Sequence, residues 1–333
     1  MIMTREIDSL KIVLKPSETS QAIRAMHATK LAPFLWGPPG IAKSAIAQSV
    51  ADEMGIAFVD IRLSQMDPTD LRGMPFRMEE NGVHGVRWAP PVALPRDLDL
   101  VQTRQTIYHE PMIVNFEASN PLGSNGIRYI RNVQVFVTAV GGGETEARII
   151  DQTATSVEAA CFVGDQMVPG AIRFTITGKC HAIVALEEFN SAPMSVLAAS
   201  YQLILDRRLG EYIVPDGAWL MALGNRETDK GVVFKMPSPI LNRFVHVEMA
   251  CDFNDWQVWA LGAGVHPQVV GYLSAFKHKL FEFEPSTALR GFATPRSWNF
   301  VSTILHKNEF LSEQIALALF IGCVGPRLAS LPQ

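Results

Sequence analysis

The chain is short of cysteine, of charge and of any long apolar run. Its four cysteines, Cys161, Cys180, Cys251 and Cys323, form no C-x-x-C pair, so the paired spacing of a zinc ribbon is missing. The expected setting is reduced and intracellular. No stretch reaches the ~18 uninterrupted apolar residues of a membrane span. The opening MIMTREIDSLKIVLKPSE lacks the apolar core of a signal peptide, and the expected location is cytoplasmic. The eight histidines are scattered with no H-E-x-x-H, which leaves no clustered ligands for a dedicated metal site. Charged residues make up 19%, below the usual share of about 25%, which hints at surface given over to contacts. The net charge of −4 excludes a broad basic field that would hold nucleic acid by counterion release. Only a local patch could do so, and a nucleic-acid partner is not expected.

What is present suits a sizeable core. The 333 residues, 48% of them hydrophobic, suffice for two modest domains or one large one. Residues 17–30 read as a helix capped by Ser17 after Pro16. Residues 32–36 (APFLW) read as a buried strand, 43–54 as a helix stopped by Gly55, and 56–62 (IAFVDIR) as a second strand. Strand, loop, helix, strand is one βαβ unit and implies a parallel sheet. Asp67-Pro68 reads as a short helix start, and Glu80-Asn81-Gly82 as the turn of a hairpin over 76–88. From 101 to 178 the texture changes to alternating strands, as in Val133, Val135 and Val137, with Gly141-Gly142-Gly143 at a turn. The α/β pattern resumes with strands at 181–186 (HAIVAL) and 218–223 (AWLMAL) around a helix at 192–205. From 252 onward the pattern is helical, at 253–262, 266–281, 296–306 and 312–323.

The chemistry begins with Gly37-Pro38-Pro39-Gly40-Ile41-Ala42-Lys43-Ser44. This string lies between a strand and a helix, where backbone N–H groups wrap phosphates and the helix N-terminus adds a favourable dipole. Lys43 would reach the β- and γ-phosphates and Ser44 would place its hydroxyl on Mg²⁺. Ala42 stands where the G-x-x-x-x-G-K-[ST] pattern has its last glycine. Alanine is tolerated there if the residue keeps a negative φ.

GPPGIAKS, LSQMDPTDLRGMP, IVALEEFN, ALGN, LNRF and ATPRS, taken together, resemble the MoxR-type AAA+ ATPases over residues 17–100 and 179–320. The resemblance implies a P-loop AAA+ parallel-sheet core from 1–100 and 179–250, a β-rich insert at 101–178 that it does not cover, and a C-terminal helical lid domain at 251–333. By position, Glu187 would hold the Mg²⁺ shell where such proteins carry Asp, and Glu188 would polarise the attacking water. Asn225 resembles the first sensor, orienting that water. Arg243 resembles the arginine finger that reaches a neighbour's γ-phosphate, with Arg207 and Arg208 as rivals. Arg296 resembles the second sensor, on a helix capped by Thr294 with Pro295 at its first position. The implied cofactors are ATP and Mg²⁺. The implied assembly is a homo-oligomeric ring, a hexamer, acting on a protein substrate or a von Willebrand A domain partner.

The leading expectation is thus a ring-forming ATPase that remodels or activates a protein. The alternative is a nucleotide-binding scaffold with little turnover, kept open by Glu187 in the Asp position. A DNA-dependent motor is disfavoured by the acidic balance. For the insert, a docking module and an enlarged subunit contact are equally open.

Overall fold

The computed structural model describes residues 12–80, 83–89, 91, 94–106, 112–115, 130–138, 144–145, 148–152, 156–160, 162–163, 166–167, 170–229, 234, 236–285, 291–307 and 312–326; between 98 and 178 the backbone is described. Six strands form its central sheet: β1 (Val13–Leu14), β2 (Pro33–Trp36), β3 (Ala57–Arg62), β4 (Ala182–Glu187), β5 (Ala218–Gly224) and β6 (Val245–Met249). Their order is β1-β6-β2-β5-β4-β3, and every pair is parallel. All their carboxyl ends therefore lie along one edge, where loops converge on a ligand. This is the expected mixed α/β fold around a parallel sheet. Helices α1 (Pro16–Ala28), α2 (Lys43–Glu53), α3 (Pro68–Arg72), α4 (Met194–Asp206) and α5 (Ser238–Leu241) accompany the sheet.

β4 and β5 are buried along their whole length. That is why they read as continuous apolar runs, as strands covered on both faces do. Alternate residues serve opposite faces. Val184 and Leu186 join Phe34, Val59 and Leu220 on the side of α4. Ile183 and Ala185 join Leu35, Met221 and Leu223 on the side of α1 and α2. The small residues Ala47 and Ala51 of α2 are fully buried, so this helix can lie close to the sheet.

Two strands and two helix details differ from expectation. β6 and β1 have no counterpart among the expected strands. The alternation Val245-His246-Val247-Glu248-Met249 is the available signal for β6. α1 starts at Pro16 with Lys15 as its N-cap, not at a Ser17 cap. Pro suits the first helical turn, Glu18 accepts the Lys15 N–H at 3.1 Å, and the Ser17 N–H goes to Asp255 Oδ2 at 2.7 Å. The helix expected at 266–281 is broken. α7 (Pro267–Ala275) ends at Phe276 and a 3₁₀ turn follows over Lys277–Leu280. Trp298 Nε1 pins that turn by donating to Lys279 O at 2.8 Å.

The described residues between 98 and 180 form antiparallel strands, with Gly170–Cys180 between Leu98–Thr106 and Ile130–Thr138. The hairpin pairs Met74–Glu80 with Val83–Ala89. The turn residues Asn81, Gly82 and Gly141 to Gly143, together with Cys161, lie outside the described residues. The C-terminal helices α6 (Phe253–Gly262), α7, α8 (Pro295–His306) and α9 (Glu313–Val324) pack around Trp256, Tyr272, Trp298 and Phe320 as a core of their own. Among the described residues, no helix is long and apolar enough to cross a membrane.

Candidate functional site

The 37–42 loop leaves β2 in the middle of the carboxyl edge, flanked by β5 and β6. The Gly37 N–H donates to Gly224 O at 3.3 Å, which ties the loop to the end of β5. Gly40 has φ +80°, and a Cβ there would fall 2.8 Å from the Thr294 side chain. Only glycine meets both demands. Ala42 has φ 68° and ψ 34°, so the expectation of a negative φ is overturned. The chain must turn into α2 within one residue, and Ala42 O already accepts from the Ile46 N–H at 3.0 Å. A left-handed backbone costs an L-residue roughly 1–2 kcal/mol.

The Lys43 Nζ donates to Gly37 O at 2.7 Å, Pro38 O at 3.0 Å and Asn225 Oδ1 at 3.0 Å. Burial pushes its ammonium down to about 8, against the opposing pull of Asp229 and Glu187. Asn225 follows β5 and is itself fixed, because Asn190 Nδ2 donates to its backbone oxygen at 2.8 Å.

Glu187 closes β4 and is buried. Burial pushes its carboxyl up from the usual carboxylate range, and the neighbouring Ser44 hydroxyl pulls it down. Its Oε1 is buried without a hydrogen-bond partner among the described residues. An orphaned carboxylate oxygen is costly, and it suits a hard cation that takes oxygen ligands. Ser44 and Glu187 therefore fit the Mg²⁺ that the loop implies. Glu188 has a left-handed backbone, φ 52°. Its carboxylate accepts from the Ser64 hydroxyl and lies 4.0 Å from Arg62 Nε.

Arg296 is the second residue of α8. Its N–H donates to Gly40 O at 3.3 Å. Thr294 caps the helix, its Oγ1 accepting the Ser297 N–H at 3.1 Å, with Pro295 at the first position.

A cleft is lined by residues 39–44 together with Glu187, Glu188, Asn225 and Arg296. Gly37 and Pro38 support it from behind through the carbonyls that hold Lys43. A larger cleft shares Ile41, Ala42, Ser44, Glu187 and Arg296 and extends toward Trp256 and Trp259. Arg243 is not brought into either. It lies exposed just beyond α5, and among the described residues it makes no ion pair. Its rival Arg207 serves its own turn, its Nη2 donating to Pro215 O and Ala218 O, each at 2.7 Å; Arg208 is exposed. Arg62 and Ser64, which lie beside the acidic pair, and Asn190, which fixes Asn225, are given no role by the sequence motifs. Only the β3–β4 register, which sets Arg62 opposite Glu187, would have pointed to Arg62.

Solved structures with a related outline include NtrX from Brucella abortus in complex with ADP (13% identity over 99% of this chain and 59% of that one, TM-score 0.44). A putative ATPase from Cytophaga hutchinsonii (10%, 97% and 85%, TM-score 0.39) and a RuvB variant from Thermotoga maritima (13%, 91% and 67%, TM-score 0.37) are others. This chain thus spans about three fifths of the NtrX chain. At such scores the likeness carries no argument about activity. No curated protein matches the chain. Residues 33–86, from β2 through most of the hairpin, match the family model of the ATPases associated with various cellular activities, AAA, so the stretch that holds the phosphate loop carries the signature of that family.

Proposed function

We propose that the protein binds ATP with Mg²⁺ in the cleft at the end of β2 and hydrolyses it to ADP and phosphate. Loop amides and Lys43 would hold the phosphates. Ser44 and Glu187 would hold Mg²⁺, whose charge offsets that of the phosphates. Glu188 would take a proton from the attacking water, oriented by the Asn225 amide. Arg296 would contact the γ-phosphate from α8, and the nucleoside would extend toward Trp256 and Trp259. Arg243, exposed and without an ion pair among the described residues, would act in a neighbouring subunit of a homo-oligomeric ring, a hexamer by the MoxR-type resemblance. On that resemblance the ring remodels or activates a cytoplasmic protein, such as one with a von Willebrand A domain.

The observation that carries this reading is the Lys43–Asn225 contact inside a cleft that also holds two carboxylates. Lys43→Ala should abolish binding of a fluorescent ATP analogue; unchanged affinity removes the assignment. Mass measurement with and without ATP tests the ring.

A second reading is a scaffold that binds nucleotide with little turnover. It is favoured by Glu187 in the Asp position and by the hold of Ser64 on Glu188. Steady-state phosphate release with and without Mg²⁺ separates the two.

A further inference from the structure

Arg62 ends β3 directly opposite Glu187 in the parallel register. Its Nη2 lies 3.8 Å from Asp60 Oδ2 and 3.9 Å from Glu187 Oε2, and its Nε lies 4.0 Å from Glu188 Oε1. Asp60 and Arg62 are two residues apart on one strand, so they share a face. A single guanidinium thus faces three carboxylates, two on adjacent strands and one, Glu188, just past the end of β4. Its flat fork of five donors can serve several oxygens at once, which a lysine ammonium does less rigidly. The Arg62 side chain is 45% exposed, so these pairs add little to stability. Their consequence is local, in the field around Glu187 Oε1, the buried oxygen with no hydrogen-bond partner among the described residues.

We propose that Arg62 is a built-in counter-cation that keeps free divalent metal off Glu187 and Glu188, so that Mg²⁺ settles there only when it arrives with nucleotide phosphates. The identity of the metal rests on the ATP reading above. The guanidinium offsets part of the attraction that the three carboxylates exert on a cation, and a bare divalent ion brings no negative charge to make up that loss. A nucleotide-bound ion brings the negative phosphates, which the 37–44 loop and Lys43 hold in place. Arg62 is therefore a positioning residue for the metal, acting through the two glutamates.

The test uses the full chain without nucleotide and Mn²⁺, visible by electron paramagnetic resonance, in place of Mg²⁺. Arg62→Ala is expected to bind one Mn²⁺ at least tenfold more tightly than the unaltered protein. Arg62→Lys, which keeps the charge, is expected to stay near the unaltered value. Adding Glu187→Gln to Arg62→Ala is expected to abolish the gained site. Equal Mn²⁺ affinity with and without Arg62, or a gained site that survives Glu187→Gln, overturns the proposal. If Arg62→Ala melts early, Arg62→Gln, of similar length and uncharged, carries the same expectation. Fluorescent-ATP binding by the unaltered protein is measured separately. Its absence would overturn the nucleotide reading, while the Mn²⁺ comparison judges Arg62 by itself.

Discussion

Lys43 Nζ donates to Asn225 Oδ1 across 3.0 Å, although 182 residues separate them in the chain. The contact exists because β2 and β5 are parallel neighbours, Gly224 lying opposite Trp36, so the loops leaving the two strands emerge at the same edge. Asn225→Ala is expected to leave ATP affinity within about fivefold and to lower turnover about 10²-fold, the scale for losing one aimed polar group in an active site. Phosphate release against ATP concentration reads both. A matching loss of affinity and turnover would mean that Asn225 only supports the loop.

Glu188→Gln keeps the size and an oxygen for the Ser64 contact but removes the proposed base. ATP binding is expected to persist while turnover falls about 10²–10⁴-fold, the usual contribution of a positioned general base. Turnover near that of the unaltered protein would remove Glu188 from the chemistry.

Arg243 lies outside the cleft of its own chain, and in the proposed ring its loss would be felt in a neighbour's site. Arg243→Ala alone is expected to lower turnover about 10³-fold or more with ATP binding retained. Mixed with Lys43→Ala subunits it should recover part of the activity, because some interfaces then pair an intact loop with an intact Arg243. No recovery at any mixing ratio would speak against action between subunits.

Ala42 holds a left-handed backbone that glycine adopts freely. Ala42→Gly is expected to stabilise the fold by about 0.5–1 kcal/mol, the relief of strain less the added freedom of the unfolded chain. Urea titration checks this. A loss of stability would show that the Ala42 methyl has a packing role that outweighs the strain.

His27 stands edge-on to Trp219, with ring centroids 5.2 Å apart. Burial holds its pKa below the ordinary histidine value, and His181 lowers it further. Burial likewise lowers His266, with His306 adding to the effect. The folded chain then resists protons that the unfolded chain accepts. Stability should be complete above the unfolded value of about 6.5 and fall as pH drops below it. The melting temperature is expected to be lower at pH 5.5 than at pH 7.5, with a smaller difference in His27→Gln. An identical difference in that variant would assign the slope to other groups.

The sequence by itself determined the parts whose physics is local. The phosphate loop is eight contiguous residues between an apolar strand and a helix. The burial of β4 and β5 is written in AIVALE and AWLMALG, and the start of α8 in Thr294-Pro295. The α/β fold around a parallel sheet comes from the same runs. β6 stayed hidden because its polar His246 and Glu248 interrupt the apolar signal that marks the central strands. Only the tertiary structure decided what depends on strand register and on the approach of distant segments. The left-handed turn at Ala42 is imposed by the entry into α2. Arg207 is taken up by the carbonyls of Pro215 and Ala218, while Arg243 stays exposed. Arg62 meets three carboxylates because β3 and β4 pair at one register out of many. That register is set by the burial of β4 along its whole length and of the Ala57, Val59 and Ile61 face of β3, and the residues that do the burying are spread along the whole chain.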